Sequence, residues 1–199
     1  MKEKRKKHEL IVIGVSAGGM EALGKILPVL PKDFPLPIVV VQHLHPSQDG
    51  FLCKYLNKKC LVTVKEADVK EPVVPAHVYL APANYHLLIE EDKTFSLSVD
   101  EKVNFARPSI DVLFESAVDA YGGSLVGIIL TGANNDGVYG LQLIKKNIGM
   151  TIIQDPATAE SVYLPWAAVN AVEADYILPL EDIGSFLHKK FSTQPPDLF

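Results

Sequence analysis

Short apolar runs alternate with segments of helical periodicity along most of the chain. Runs rich in Val and Ile are typical of strands buried on both faces, and such strands form parallel sheets. Between them, apolar residues recur every three to four positions, as on the buried side of an amphipathic helix. The alternation predicts a doubly wound α/β fold with a mainly parallel sheet flanked by helices. The predicted parallel strands are residues 10–15, 38–42, 61–65, 126–130, 151–154 and 176–178.

The pattern changes over residues 72–105. Short apolar runs at 78–81, 85–89 and 95–99 are separated by the polar turn sequences Pro-Ala-Asn and Glu-Glu-Asp-Lys. Closely spaced strands joined by such turns are typical of antiparallel hairpins. We therefore expect an antiparallel hairpin insertion in this region. Helical spacing returns after Pro108, with Ser109 as the expected N-cap.

Length and charge limit the broad class of the protein. The 199 residues suffice for one domain, which we expect over 9–191, between a basic flexible leader (1–8) and a frayed tail (192–199). The net charge of −5 gives no reason to expect nucleic acid as the main partner. The leader is followed by an apolar run of only six residues, which suits a buried strand better than a signal peptide and favours the cytoplasm. No apolar stretch approaches a membrane span.

Polar side chains stand directly after three of the predicted parallel strands. Ser16 follows the first strand, His43 follows the second, and Asp136 lies in the loop after the run 126–130. Because ligands bind at the carboxyl ends of parallel strands, these residues belong at one edge of the sheet. Together they form the inventory of a nucleophilic triad, in which histidine takes the serine proton and aspartate orients the imidazole. The structural alternatives are a helix-capping serine, a core histidine and a turn aspartate.

Two other kinds of site fit this pattern less well. A dinucleotide-binding loop would have glycine in place of Ser16 and an acidic residue in place of His43, and a Walker motif is absent. In α/β-hydrolases the chain order of the triad is serine, acid, histidine, whereas this chain has serine, histidine, acid. The sequence therefore favours a serine hydrolase of a different plan.

Several motifs occur in order along the chain. They are Gly-Val-Ser16-Ala-Gly-Gly, Val-Val-Gln42-His43, Tyr79-Leu-Ala-Pro82, Arg107-Pro-Ser-Ile-Asp111-Val-Leu-Phe114 and Leu-Thr131-Gly-Ala-Asn-Asn-Asp136-Gly137. Over about residues 9–190 the chain thereby resembles the catalytic domain of the chemotaxis protein-glutamate methylesterases (CheB). The resemblance implies hydrolysis of glutamate γ-methyl esters on chemoreceptors, with release of methanol, and in many members deamidation of receptor glutamines. It makes Ser16 the nucleophile, His43 the general base and acid, and Asp136 the orienting carboxylate.

The chain also departs from the family pattern. Members usually carry an N-terminal receiver domain, whereas the first predicted strand here begins by residue 10. Leu44-His45-Pro46 and Ala133-Asn134-Asn135 stand where Met-Pro-Pro and Met-Gly-Asn are frequent. The partners that the resemblance implies are methylated receptor helices and a separate receiver or methyltransferase protein. Regulation and substrate preference stay open.

Ester hydrolysis also needs N–H donors for the oxyanion of its intermediate and groups that bind the substrate. Backbone N–H groups of Ala17, Gly132 and Ala133 are the oxyanion candidates. Arg107 and Thr131 are the substrate-binding candidates, with a structural role for Arg107 as the alternative.

Two further functions stand as alternatives to a methylesterase. One is an esterase or amidase that acts outside chemotaxis, and the other is a non-catalytic module that binds a receptor or helical peptide. No metal or organic cofactor is expected, because the sequence has no metal-ligand cluster. Cys53 and Cys60 lie too far apart on a predicted helix for a disulfide, so both should be free.

Overall fold

The computed structural model describes residues 7–43 and 50–192. Most of the basic leader, the segment 44–49 with His45, and the tail from residue 193 lie outside the described residues. The strands are β1 (Leu10–Val15), β2 (Ile38–Gln42), β3 (Thr63–Glu66), β4 (His77–Leu80), β5 (His86–Ile89), β6 (Phe95–Ser98), β7 (Leu125–Ile129), β8 (Met150–Gln154) and β9 (Tyr176–Leu178). The helices are α1 (Gly19–Ile26), α2 (Phe51–Asn57), α3 (Ile110–Tyr121), α4 (Val138–Lys146), α5 (Tyr163–Ala171) and α6 (Leu180–Phe191).

The main sheet is parallel and has the strand order β3-β4-β2-β1-β7-β8-β9. β1 pairs with β2 on one side and β7 on the other. The chain winds outwards from β1 in both directions, so the strand order reverses there. The loops at such a point diverge and leave a crevice at the carboxyl edge of the sheet, where α/β proteins bind their ligands. The predicted fold class is confirmed.

Alternate side chains of β1 pack into two apolar cores, one on each face of the sheet. Ile11, Ile13 and Val15 pack with residues of α1, α2 and α6. Leu10 and Val12 pack with residues of α3, α4 and α5 on the opposite face. All of these side chains are fully buried. Because helices cover both faces, the strand is continuously apolar rather than alternating.

The region 72–105 differs from the prediction in one respect. β5 and β6 form the expected antiparallel hairpin in a separate two-stranded sheet. β4, however, joins the parallel sheet between β3 and β2. Val78 and Tyr79 of β4 are fully buried, so this strand is covered on both faces like the other central strands. The hairpin packs beside α3, where the Ile89 N–H donates to the Ser116 hydroxyl at 3.1 Å.

Helix boundaries follow local signals. α1 gives way at Leu27 to a single 3-10 turn that contains Pro28, since proline cannot continue the α-helical hydrogen bonds. Ser109 is the N-cap of α3, as predicted. In the described ranges, none of the helices combines the length and apolar character needed to cross a bilayer.

Candidate active site

The triad candidates lie on the loops that follow β1, β2 and β7. Ser16 comes directly after β1, and its N–H donates to the Thr131 carbonyl at 2.9 Å. His43 comes directly after β2, and its N–H donates to the Val15 carbonyl at 3.1 Å. Asp136 lies two residues before α4 and is fully buried. Backbone hydrogen bonds therefore hold the Ser16 and His43 loops in place independently of their side chains.

One imidazole ring connects the serine with the aspartate. His43 Nδ1 lies 3.2 Å from Ser16 Oγ, and His43 Nε2 lies 2.8 Å from Asp136 Oδ2. An ionised carboxylate only accepts hydrogen bonds, so Nε2 carries the proton and the Nδ1 lone pair faces the serine hydroxyl. The ring is reversed relative to trypsin-type triads, in which Nε2 faces the serine. The structure brings the three side chains within hydrogen-bond distance, while their catalytic roles stay predictions.

The N-terminus of α3 supports the buried charge of Asp136. Oδ2 accepts the Ile110 N–H at 2.6 Å, and Oδ1 accepts the Ser109 hydroxyl at 2.7 Å. Both donors belong to the positive end of the helix, which favours a carboxylate. Burial opposes ionisation of Asp136, but the hydrogen bonds from His43 and the other donors outweigh it and lower the pKa below its usual value.

Gly137 allows this approach. Its φ of +103° lies in a region that favours glycine, and a Cβ there would lie 2.5 Å from Ile110 Cγ2. A larger residue would separate the Asp136 loop from the start of α3. The glycine after the aspartate is thus needed for the contact between Asp136 and Ile110.

A second buried carboxylate, Asp111, lies close to the first. Asn104 Nδ2 donates to Asp136 Oδ1 at 3.0 Å and to Asp111 Oδ2 at 2.8 Å. Asp111 Oδ1 accepts the Gly140 N–H at 2.7 Å. Burial, and then the charge of Asp136, raise the pKa of Asp111 to about 6 against the Gly140 hydrogen bond. The sequence contained no signal for Asn104, which lies in a polar turn, and Asp111 stood out only as part of a motif.

Gln42 holds together the loops that carry the serine and the histidine. Its Nε2 donates to the Ser16 carbonyl at 2.8 Å and to the His43 carbonyl at 3.0 Å. Its Oε1 is buried and has no hydrogen-bond partner among the described residues. A Cβ on Gly19 would collide with this oxygen, so a larger residue there would displace the Gln42 amide. Sequence reasoning missed this role, although a polar residue that ends a fully apolar strand was a usable signal.

The oxyanion candidates divide into two groups. Within the described residues, the N–H groups of Ala17 and Ala133 have no hydrogen-bond acceptor, and both stay candidates. The N–H of Gly132 donates to the Ser161 carbonyl at 3.0 Å, which argues against an oxyanion role for Gly132, and that role stays a prediction. Gly132 instead ties the loop after β7 to the segment before α5.

Thr131 bonds to neighbouring loops, and substrate binding by this residue stays a prediction. Its side chain is buried, and the hydroxyl donates to the Ala17 carbonyl and accepts the Ser161 N–H, both at 2.8 Å. Its own N–H donates to Gln154 Oε1 at 2.8 Å. These bonds position the loop after Ser16.

Arg107 bonds to neighbouring loops. Its Nη1 donates to the carbonyls of Val99 at 2.6 Å and Asp100 at 2.8 Å, and its Nη2 donates to Asn84 Oδ1 at 3.0 Å. These contacts hold the two ends of the turn that contains Asn104. They favour the structural alternative for Arg107, and substrate binding by this residue stays a prediction.

Access to the triad is through its first two members. The side chain of Asp136 is 0% exposed and that of His43 is 14% exposed. A cavity of about 320 Å³ lies beside α1, lined in part by Gly18 and Glu160, but no triad residue lines it.

Across the described part of the chain, no three His, Cys, Asp or Glu side chains are grouped as metal ligands would be.

Comparison with known proteins supplies the family. The family model for the CheB methylesterase matches residues 11–187, a range that includes all three triad candidates. The chain belongs to the CheB methylesterase family. The crystal structure of the Thermotoga maritima CheB methylesterase catalytic domain matches it with a TM-score of 0.88 at 36% identity, over 92% of this chain and 99% of that one. The resemblance noted in the sequence is confirmed.

Two relatives differ in how much of their own length this chain matches. A Leptospira interrogans protein, whose name provisionally assigns it protein-glutamate methylesterase and protein-glutamine glutaminase activities, is 54% identical over 177 residues. That match covers 89% of this chain and 92% of the relative. The Archaeoglobus fulgidus protein-glutamate methylesterase/protein-glutamine glutaminase is 39% identical over 193 residues, covering 94% of this chain and 55% of the relative. The chain thus spans nearly all of one relative and about half of the other.

Proposed function

We propose that this chain is a serine-dependent protein-glutamate methylesterase that uses Ser16, His43 and Asp136 as its catalytic triad. The observation that carries the proposal is the unbroken hydrogen-bonded path from Ser16 Oγ through the His43 ring to Asp136 Oδ2, with contacts of 3.2 and 2.8 Å. Membership of the CheB methylesterase family supports the choice of an ester bond as substrate.

The reaction follows from the ring orientation. Ser16 Oγ attacks the carbonyl carbon of the glutamate ester as its proton moves to His43 Nδ1. The tetrahedral intermediate collapses when Nδ1 returns that proton to the leaving methoxide, so methanol departs and an acyl-serine remains. Water, deprotonated by Nδ1, then releases the glutamate and restores the serine. Asp136 accepts from Nε2 throughout and stabilises the imidazolium that forms in each half-reaction.

The oxyanion requires donors on the far side of the carbonyl from the imidazole. We assign this role to the N–H groups of Ala17, which directly follows the serine, and Ala133, which lies in the loop after β7. The start of α1, two residues beyond Ala17, adds the positive end of a helix. Neither N–H donates to an acceptor within the described residues, which leaves both for a substrate oxygen.

We further propose the cytoplasmic helices of methylated chemoreceptors as substrate, residues 9–191 as the catalytic unit, and the cytoplasm as its location. Deamidation of receptor glutamines uses the same steps with ammonia as the leaving group, in keeping with the double names of the relatives. A separate receiver or methyltransferase protein is the expected regulatory partner.

The direct test is methanol release from a methylated receptor fragment. Ser16→Ala and His43→Ala should each abolish release while the melting temperature stays within a few degrees of the original. Ser185→Ala, on the exposed side of α6, is the matched control and should keep full activity. Full activity in either triad variant would overturn the assignment.

The same assay separates the alternatives. A protein that hydrolyses small esters but no receptor ester, with the same dependence on Ser16, would be an esterase with a substrate outside chemotaxis. A protein that binds the receptor fragment but hydrolyses neither would be a binding module.

A further inference from the structure

We infer that Asn104 and Asp111 act as a positioning pair that fixes the triad carboxylate from the side opposite His43. The inference rests on the proposed function of Ser16, His43 and Asp136. Its basis is one amide that uses both of its N–H groups on two buried carboxylates. Neither residue touches Ser16 or His43 in the described contacts, so both act through Asp136.

The geometry leaves Asn104 a single useful orientation. Nδ2 lies 2.8 Å from Asp111 Oδ2 and 3.0 Å from Asp136 Oδ1. A carboxamide has two N–H groups on that nitrogen, so each carboxylate receives one. If the amide turned over, its oxygen would face both carboxylates. Asp111 therefore reinforces the orientation in which Asn104 donates to Asp136.

The ionised form of Asp111 suits this arrangement best. Both of its oxygens accept N–H donors, one from Asn104 and one from Gly140 at 2.7 Å. Protonation would remove the negative charge and weaken both of these charge-assisted bonds. The ionised form is costly, because burial and the neighbouring charge of Asp136 raise the pKa to about 6. At neutral pH Asp111 is therefore a buried charge whose main compensation is these hydrogen bonds.

Few other groups around Asp111 interact with its carboxylate. From outside α3, the charged group that faces it is Asp136, and the N–H groups of Gly137 and Gly140 also face it. Asn104 itself belongs to an exposed turn with φ of +50°, closed by a bridge between Val103 and Ala106. A surface turn thus places the Asn104 amide against the two buried carboxylates.

The experiment is a double-mutant cycle on methanol release from a methylated receptor fragment. Asn104→Gly removes the amide and tolerates the positive φ, and Asp111→Asn keeps the shape but cannot accept from both donors. Each single variant should lower kcat about tenfold, equivalent to about 1.4 kcal/mol, with KM within about twofold. The double variant should lose no more than the more impaired single variant, because Asp111 acts through Asn104. Lys102→Ala, in the same exposed segment, is the matched control.

The pH dependence gives a second readout that a purely structural role would not change. The original protein should lose activity as pH falls through about 6, in part because Asp111 takes up a proton. Asp111→Asn should show a shallower acid limb, since one ionisation has been removed. Losses that multiply in the double variant, or unchanged kcat in both single variants, would overturn the inference. Ser16→Ala in the same series keeps the two questions separate, because turnover by that variant would refute the triad itself.

Discussion

Replacing Asp136 by asparagine tests the geometry around the buried carboxylate. Oδ2 accepts from His43 and Ile110, while Oδ1 accepts from Asn104, Ser109 and the Asp111 N–H at 3.3 Å. An asparagine offers one acceptor oxygen and one NH₂ group in the same space. Whichever way it sits, its NH₂ group meets at least one N–H donor.

The size of the effect depends on which group of the asparagine, the oxygen or the NH₂, faces Ile110 and His43. An NH₂ group facing Ile110 leaves a buried N–H unpaired, which costs about 1–3 kcal/mol of unfolding free energy. For a chain of this size that equals a fall in melting temperature of about 2–12 °C. The same orientation makes His43 Nε2 the acceptor and places the Nδ1 proton towards Ser16, so the ring cannot take the serine proton. In a serine protease the corresponding change costs about 10⁴ in kcat, and we expect a loss between about 10² and 10⁴.

The assay is methanol release for Asp136→Asn and Ser16→Ala at pH 7.5, about one unit or more above the acid limb, together with thermal unfolding of both. Asp136→Asn should retain more activity than Ser16→Ala, because the aspartate orients the ring and does not attack. It should also unfold at a lower temperature than Ser16→Ala. An Asp136→Asn variant with more than half of the original kcat would refute the role given to the carboxylate.

Three further predictions concern other parts of the structure. Gln42→Leu leaves the carbonyls of both neighbouring triad loops without their shared donor, and we expect about a tenfold loss of kcat and a lower melting temperature; normal turnover would contradict this. The folded-state pKa of Asp111, about 6, lies above the ordinary value of 3.8, so the folded protein binds this proton more tightly than the unfolded chain does. The protonated carboxyl therefore stabilises the fold at low pH, and this contribution is lost as pH rises from about 4 to 6. In denaturant titrations, the unfolding free energy of the original protein relative to Asp111→Asn should therefore fall over that window. A constant difference would contradict the raised pKa of Asp111. Burial raises the pKa of Cys60 to about 11, so in a Cys53→Ser background iodoacetamide at pH 8 should react with it slowly until urea unfolds the chain; fast reaction of the folded protein would contradict its burial.

The central strands and the triad candidates were predictable for the same reason. A continuous apolar run such as residues 10–15 leaves no polar face, so both faces must be covered and the strand must be central. Serine and histidine directly after two such strands then share the carboxyl edge of the sheet. β4 was assigned to a hairpin because its short run is followed by turn residues, although its burial places it in the parallel sheet.

The contacts around the site were less predictable because they depend on tertiary approach. The N–H of Gly132 was a reasonable oxyanion donor until the segment before α5 placed the Ser161 carbonyl 3.0 Å from it. Asn104 reaches Asp136 only because the turn after β6 folds over the N-terminus of α3. No local pattern in the sequence records such a meeting, since the partners lie far apart along the chain.

Covalent labelling examines the nucleophile without assuming any substrate. After incubation of the folded protein with a fluorophosphonate, mass spectrometry of its peptides should find one adduct, on Ser16, and His43→Ala should form it far more slowly. An unlabelled Ser16, or an adduct formed equally well without the imidazole, would contradict the catalytic account.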